Sequence, residues 1–548
     1  MRVCKKILLI IFIYLICCFN ALGIQQRNIV RVGISNQNFS TYEHSSITFT
    51  SFGNLLITDM TSEKNMSLNS GSNVTISIEN GLLSAKSGLK SIDKIKGPLV
   101  LSSDTDIGIV GLNRRGTPAL YSGQFEIKIT KNLKFNVVNV LSMQEYLKGV
   151  VPNEMPVSFG LEALKAQAVA ARNYANRDVN PNPNYDVVDS VASQVYYGVN
   201  SHKPLSDKAI NETNGLYAMY ENNPIVALYF STGSGITESF ENVFGGNNPK
   251  LPNTLPYLVS VYDDSSFKKI NSEDEFKKFF KDKPESHDIK SPKYRWEVSF
   301  SEDDLNTILP NNLINLSKSG LVEPKFTDTD KFGNIEEIKV LKRGESGKAL
   351  LLEIKTNKGS WNVKKELGIR RLFSNNGKIL NSANFVVEKG KKKTDKLIIF
   401  ESDDPEKKYY TFYGAGYGHG VGMSQYGAGH MASKGHSFID ILKHYYTDIT
   451  IGTIPVTVGS SGVGAKINFY HEKKYKVYLK IDNSKRIKEL NFFINEDEFR
   501  PSLSMFSAKI LFFDITDFLK KGDNVIDIKP LSNKDLEKTI SAWIEVVE

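Results

Sequence analysis

Residues 141–175 read LSMQEYLKGVVPNEMPVSFGLEALKAQAVAARNYA, and this stretch marks the change from a strand-rich to a helical chain. The segment LSMQEYLKGVV predicts a short helix, and LEALKAQAVAARNYANRD predicts a longer one that opens after MPVSFG. Between them stands VVPNEMP, in which two prolines flank a single glutamate. The helical half of a mixed fold therefore begins near residue 141.

Upstream, the segments NIVRVGI, NVTISI, IGIVGL, FEIKI and LKFNVVNV alternate or run apolar between Asn, Gly and Ser turns, which is typical of β-strands. Downstream, strands return after residue 296 and again after residue 467. The chain of 548 residues is too long for one core. We predict an α+β protein whose segments are a leader (1–23), a strand-rich region (24–140), a mixed α/β core (141–262 and 396–455), an intervening strand-rich region (263–395), a linker (456–466) and a C-terminal β-sandwich-like module (467–548).

Glu154 is the strongest candidate for acid chemistry. Pro152 and Pro156 are expected to fix its backbone and to keep it out of a helix. Its neighbours are apolar, so its carboxyl group should be partly desolvated, which raises a pKa toward the range that a general acid needs. The alternative is a glutamate that caps the following helix or pairs with a lysine.

The longer helix carries three cations. On a helical projection Lys165 and Arg172 lie seven residues apart, at the margin of an apolar stripe, whereas Arg177 lies on the opposite side. We therefore expect Lys165 and Arg172 to line a cleft and Arg177 to be solvated. A structural ion pair, for example with Glu162, is the alternative for the first two.

A glycine-dense stretch, 414–429, brings the backbone close to any ligand and allows positive φ angles. Within it, His419, Ser424 and Gln425 can supply hydrogen bonds to a bound ligand. A tight turn around a packed histidine is the alternative interpretation.

The N-terminus has the order of a secretory signal, with Arg2, Lys5 and Lys6 before an apolar run that ends in small residues. Cleavage before Ile24 would give an exported protein, and an uncleaved anchor is the alternative that would attach it to a membrane. All three cysteines lie in this leader, which excludes disulfides and cysteine chemistry from the mature chain. The net charge of +8 is too dispersed for nucleic-acid binding.

Three ordered stretches resemble the stage II sporulation protein D (SpoIID/LytB) family of peptidoglycan lytic transglycosylases and amidase enhancers. They are residues 141–175, the stretch from YDVVDSVASQVYYG through ALYFSTGSGITESFENVFGG, and GAGYGHGVGMSQYGAGHMASKGHSFIDILKHYYTDITI. The resemblance implies that Glu154 is catalytic and that a second set of polar residues lies near the cleft, namely Gln194, Tyr196, Ser231 and Thr232. Many relatives carry zinc-ligand residues at the positions of Val188, Ala192, Ser193 and Phe230, none of which can bind zinc in that manner. We therefore expect neither metal nor cofactor.

The resemblance implies cleavage of the MurNAc–GlcNAc backbone of peptide-stripped peptidoglycan strands, with one glutamate acting as acid and then as base to give 1,6-anhydro ends. True hydrolysis would need a second carboxylate, for which Glu238 and Glu241 are candidates. The main alternative is a non-catalytic wall-binding partner of a cell-wall amidase, and a structural surface protein is a further one. The sequence of the C-terminal module is compatible both with carbohydrate binding and with a role as a spacer.

Overall fold

The computed structural model describes residues 27–177, 182–246, 251–264, 267, 269–391, 408–458, 464–482, 484, 490–499, 509–530 and 539–548. The leader predicted over residues 1–23 lies outside the described residues. Within the ranges just given, no helix is both long and apolar enough to cross a membrane.

The N-terminal region consists of two sheets that share one apolar core, and their strands are antiparallel except for the parallel pair β1 and β14. One sheet has the order β14-β1-β13-β12-β9-β4-β5, with β2 also paired to β13, and the other has the order β11-β10-β3-β6-β7-β8. The strands are β1 Ile29–Gly33, β2 Glu43–His44, β3 Ser46–Ser51, β4 Leu55–Asp59, β5 Asn65–Leu68, β6 Asn73–Glu79, β7 Leu82–Ser87, β8 Lys90–Ile95, β9 Leu99–Ser103, β10 Ile107–Arg114, β11 Thr117–Tyr121, β12 Gln124–Ile129, β13 Phe135–Ser142 and, from the core, β14 Val187–Val188. The predicted strand-rich start is confirmed.

Helices follow at the point where the sequence predicts them. They are α1 Met143–Lys148, α2 Val151–Glu154, α3 Leu161–Asn176, α4 Pro204–Asn211 and α5 Phe240–Val243, interleaved with β15 Tyr217–Tyr220, β16 Asn223–Pro224 and β17 Tyr229–Phe230. Helix α3 is buried on every side from Ala163 to Asn176. The predicted apolar stripe is buried, but the expectation of a solvated opposite side is wrong, because neighbouring elements cover that side as well.

The intervening region forms a separate layer with its own core around Trp296, Phe300 and Phe412. Its elements are α6 Glu273–Lys281, β18 Arg295–Ser301, α7 Glu302–Lys318, β19 Val322–Glu323, β20 Ile335–Arg343, β21 Ala349–Thr356, β22 Gly359–Lys364, α8 Glu366–Leu372, β23 Phe385–Lys391 and β24 Lys408–Ala415. They make a three-stranded sheet (β18-β24-β23) and a four-stranded sheet (β19-β22-β21-β20).

The remaining elements complete the core and the C-terminal module. They are β25 Met423–Ser424, α9 Gln425–Ser433, α10 Phe438–Tyr445, β26 Thr450–Gly452, β27 Val456–Val458, β28 Ala465–His471, β29 Lys476–Asp482, β30 Leu490–Ile494, β31 Asp497–Phe499, β32 Ile510–Asp514, β33 Gly522–Pro530 and β34 Ile540–Val547. Strand β34 pairs with β26, so the sheet β16-β15-β26-β34-β29-β32 runs from the core into the module. Part of the predicted linker is strand β27, which pairs with β34.

Candidate active site

Glu154 is the last residue of α2, a single helical turn that begins at Val151. The prediction that the prolines keep it out of a helix is wrong. Pro152 occupies the first turn, where no backbone N–H is needed. Pro156 acts on the residue before it, and Met155 is extended with ψ 131°. The two prolines thus limit the helix to one turn and leave Glu154 at its end.

The carboxyl group of Glu154 is held from one side. Its Oε1 accepts a hydrogen bond from the backbone N–H of Val195 at 2.6 Å, and the side chain of Gln425 makes a second hydrogen bond to it. Burial raises the pKa of Glu154 to about 7, although both hydrogen bonds act in the opposite direction. The carboxyl is therefore divided between its acid and base forms near neutral pH, as a proton-transferring group requires.

Glu154 opens into a cavity of about 430 Å³. The lining residues are Glu154, Tyr174, Arg177, Val191, Ala192, Ser193, Val226, Leu228, Tyr229, Phe240, Phe244, Leu251 and His419. Most of these are aliphatic or aromatic, with a few polar groups among them, which is the usual composition of a site for an organic ligand. Among these described residues Glu154 is the one carboxylate.

A buried hydrogen-bond chain supports the cavity wall. The hydroxyl of Tyr146 donates to Gln194 Oε1 at 3.0 Å, and Gln194 Nε2 donates to the hydroxyl oxygen of Tyr229 at 2.9 Å. Because Tyr229 accepts at its oxygen, its own O–H is oriented to donate elsewhere. Gln194 thus lies behind the cavity and orients Tyr229, which lines it.

His419 lines the cavity but has no free ring nitrogen. Its Nε2 lies 2.9 Å from the carbonyl oxygen of Tyr229, and its Nδ1 accepts the backbone N–H of Val421 at 3.1 Å. Burial lowers the pKa of His419 to about 3, with Lys348 adding to the effect. The geometry is that of a neutral histidine packed in a turn, and it offers the cavity a ring face flanked by Phe230 and Phe244.

The prediction that Lys165 lines the cleft is wrong. Its Nζ is fully buried and lies 3.1 Å from Glu162, 2.8 Å from Glu212 and 2.8 Å from Glu472. These carboxylates raise its pKa despite the desolvation, so Lys165 is charged. The ion pair considered with Glu162 is present.

The same prediction is wrong for Arg172, which is also buried. Its guanidinium donates to the carbonyl oxygens of Leu216 at 2.9 Å and Ile210 at 3.4 Å, and to Thr213 Oγ1 at 3.3 Å. Burial lowers the pKa of Arg172 to about 10. It ties α3 to the loop after α4, away from the cavity.

Four further predicted residues lie outside the described cavity: Tyr196, Ser231, Thr232 and Ser424. The hydroxyl of Tyr196 donates to Asn139 at 2.7 Å. The hydroxyl of Thr232 is hydrogen-bonded to that of Ser291 at 2.8 Å and to that of Ser231 at 3.3 Å.

Ser424 caps α9 by accepting the backbone N–H of Gly427, and its hydroxyl donates to Asp288 at 2.5 Å. Gln425, the first residue of α9, is the member of the glycine-dense stretch that reaches Glu154.

Asp288 belongs to a segment, 263–290, that its Lys, Asp and Ser content predicts to be a surface excursion. Instead Asp288 is 1% exposed, and burial together with the nearby Asp263 raises its pKa above the usual range. The segment is anchored because Asp263 accepts hydrogen bonds from Ser286 and from the backbone N–H of His287.

The prediction that Arg177 is solvated is also wrong. It was expected on a solvated face, yet it lines the cavity beside Glu154, with its guanidinium carbon 3.2 Å from the centre of the Tyr174 ring. Arg177 is the residue that ends α3, with φ −71° and ψ 144°. The projection wrongly equated the side opposite the apolar stripe with solvent, whereas cavity residues such as Tyr229 lie there. Tyr174 and Tyr229 were missed as well. The pattern of apolar residues carries no signal for aromatic side chains that turn into a cleft.

The two candidates for a second carboxylate do not line the cavity. Glu238 is fully buried, and its carboxylate accepts hydrogen bonds from Asn242 at 2.7 Å and from the Ser346 hydroxyl at 2.6 Å. Glu241 is exposed on α5. In the part of the chain that the structure describes, no group of three or more His, Cys, Asp or Glu side chains is arranged to hold a metal ion.

The sequence is similar to a protein family and to several known proteins. Residues 131–220 match the family described as "Stage II sporulation protein" (SpoIID), and residues 238–422 match a domain of unknown function, DUF8618. The stage II sporulation protein D of Bacillus amyloliquefaciens is 29% identical over 353 residues, which cover 61% of this chain and 80% of that protein. Its counterpart in Bacillus subtilis is 29% identical over 378 residues, covering 66% and 86%.

A Bacillus subtilis protein named "Amidase enhancer" is 30% identical over 329 residues. The match covers 56% of this chain but only 40% of the enhancer, so the chain spans less than half of that relative. The segment that matches the family includes α2 and α3, and therefore Glu154 and Arg177. The chain belongs to the SpoIID family.

Proposed function

We propose that this protein is a peptidoglycan lytic transglycosylase that acts outside the cytoplasm on peptide-stripped glycan strands. The observation that carries the proposal is a single carboxyl group, Glu154, with a pKa raised to about 7 in a largely apolar cavity. A hydrolase of the usual two-carboxylate kind needs a partner acid about 5–10 Å away. Since Glu154 is the one carboxylate among the described lining residues, a mechanism that uses one acid twice is favoured.

In the first step, protonated Glu154 gives its proton to the oxygen that joins C1 of N-acetylmuramic acid to the next sugar. The C1–O bond breaks, its electron pair stays on the departing oxygen, and positive charge develops at C1. In the second step, the Glu154 carboxylate takes the proton of the 6-hydroxyl of the same muramic acid as that oxygen bonds to C1. The product has a 1,6-anhydro end, and Glu154 returns to its protonated form.

The cavity supplies what this sequence of steps requires. Aliphatic and aromatic walls, including Phe240 and Phe244, can pack against the C–H faces of a sugar and exclude water from the developing cation. The O–H of Tyr229, oriented by Gln194, is a donor for a sugar oxygen. Exclusion of water favours attack by the internal 6-hydroxyl over hydrolysis.

The first test is mass spectrometry of the products formed from purified glycan strands. We expect anhydro-ended fragments from the wild-type protein and a loss of about a hundredfold to ten-thousandfold in rate for Glu154→Gln, which keeps the shape but cannot transfer a proton. Glu241→Gln, an exposed glutamate outside the cavity, is the matched control and should cleave normally. Fragments with ordinary reducing ends would contradict the transglycosylase mechanism.

A second candidate function is that of a non-catalytic partner of a cell-wall amidase. The similarity to the Bacillus subtilis protein named "Amidase enhancer" favours it. It predicts that the protein binds glycan strands and raises the activity of an added amidase, while strands alone stay intact. Glu154→Gln should then leave the stimulation unchanged.

A further inference from the structure

Arg177 is a cation in the cavity without a carboxylate partner among the described residues. It directly follows α3, lines the same cavity as Glu154 and is partly buried. Burial lowers the pKa of Arg177, because the charged guanidinium loses contact with water. The groups that oppose this shift are tyrosines, namely Tyr174, Tyr229 and Tyr146, and not carboxylates. Removing an arginine from water without an anion is unfavourable, and such groups are usually paired.

The other buried arginines of the described chain are satisfied internally. Arg114 forms an ion pair with Asp189 at 2.8 Å, and Arg370 lies 3.6 Å from Glu366. Arg172 donates to two backbone carbonyls. Arg177 differs because its guanidinium faces the cavity, where an anion from outside the protein can reach it.

The geometry around Arg177 also limits what it can bind. The Tyr174 ring lies 3.2 Å from the guanidinium carbon and covers one face of the plane. The N–H groups at the edge of that plane form a fork that matches the two oxygens of a carboxylate. A carboxylate carried by a sugar in the cavity would therefore meet a fixed, bidentate donor.

Resting on the proposed function, we propose that Arg177 is a specificity-determining residue that binds the free carboxylate of the 3-O-lactyl group of muramic acid. In peptide-bearing glycan the same group is an amide, which has no charge and only one carbonyl oxygen to offer. Arg177 would thus restrict cleavage to strands from which the peptide has already been removed. The reaction class that supplies the substrate is amide hydrolysis at the lactyl group.

The test compares two forms of one substrate: peptide-free strands with lactyl carboxylates, and the same strands with those carboxylates converted to methylamides. We expect kcat/KM of the wild-type protein to be about tenfold to a hundredfold higher on the carboxylate form. In Arg177→Gln the ratio should fall to near one, because the loss on the carboxylate form exceeds any loss on the methylamide form. Arg177→Lys should keep part of the preference, and the exposed Arg371→Gln should keep all of it.

A binding measurement separates this inference from the proposed function. Calorimetry with the methyl glycoside of N-acetylmuramic acid, and with its methylamide, reports the subsite without any cleavage. Arg177-dependent preference for the acid in a protein that cleaves nothing would support the subsite and refute the transglycosylase. Two results would overturn the subsite: equal rates of cleavage of both strands by the wild-type protein, or binding of neither glycoside. Both are measured on the wild-type protein, so neither depends on whether a variant folds.

Discussion

At the scale of single residues, the environment of Glu154 sets a pH dependence. Its pKa is raised to about 7, and the first proposed step needs the protonated form. We therefore expect kcat/KM to fall as the pH rises above about 7, since the acid is lost in the free enzyme. Initial rates on peptide-free strands between pH 5 and pH 9 would measure this. A flat profile through pH 9 would contradict the assignment of Glu154 as the acid.

The same raised pKa predicts that the Glu154 carboxylate destabilises the folded protein at high pH. A carboxyl whose pKa is near 4.5 in the unfolded chain and about 7 in the folded one binds more protons when folded. The free energy of unfolding should thus decrease as the pH rises between those two values. Glu154→Gln removes the penalty, so the variant should be more stable than the wild type at pH 8 and closer to it at pH 4. Urea unfolding at both pH values would show the difference.

Glu154 also shows how far a sequence can predict a site. Its apolar neighbours and flanking prolines are local, and they correctly indicate a desolvated carboxyl. The roles of Lys165 and Arg177 depend on chain segments far away in sequence. Lys165 is paired with Glu472, some three hundred residues downstream, and Arg177 faces a cavity whose wall includes Tyr229 and His419. A projection of one helix contains neither fact.

At the scale of elements, the glycine-dense stretch acts through backbone shape. Gly422 has φ +78°, and a Cβ at this position would lie 2.1 Å from the carbonyl oxygen of Leu228. Its neighbour Met423 pairs with Tyr229, the residue whose hydroxyl enters the cavity. Periodicity predicts α10 well, because its apolar residues recur on one buried side and Ser437 starts it with a capping box. It does not predict α9, whose glycines weaken the helical signal.

We expect Gly422→Ala to destabilise the fold by more than about 2 kcal/mol, through a backbone clash added to the strain of a positive φ, and to lower activity by displacing Tyr229. Gly435 is the matched control, since its φ is +92° but a Cβ there would meet nothing within 4 Å. Gly435→Ala should therefore cost roughly 1 kcal/mol and leave the rate intact. Equal losses in the two variants would show that the close approach to Leu228 has no role.

At the scale of the whole molecule, the C-terminal strands are part of the architecture that holds the site. Strand β34 continues the sheet of β15 and β26, and Glu472 reaches the buried Lys165 of α3. The sequence predicted a separate accessory module after a linker. It could not show the docking, because strand pairing between distant segments leaves no local pattern.

Lys165 lies among three carboxylates, so Lys165→Met should leave buried charge unpaired and reduce the free energy of unfolding by about 3–5 kcal/mol. Lys474 contacts Glu162 and Glu472 from the solvent side with 46% of its side chain exposed. Lys474→Met is the matched control and should change stability by less than about 1 kcal/mol. If Lys165→Met instead lowered kcat in a fully folded protein, the placement of Lys165 outside the cavity would be wrong.

The sheet that joins core and module has a consequence for the order in which the enzyme is made. A polypeptide is synthesised from its N-terminus, so Glu154 and α3 emerge long before residues 540–547. Until Glu472 is made, Lys165 lacks one of its three counter-ions, and until β34 is made, β26 lacks its partner strand on that side. The sheet that supports the core is thus completed only after β34 has been made, which is more than three hundred residues after Glu154.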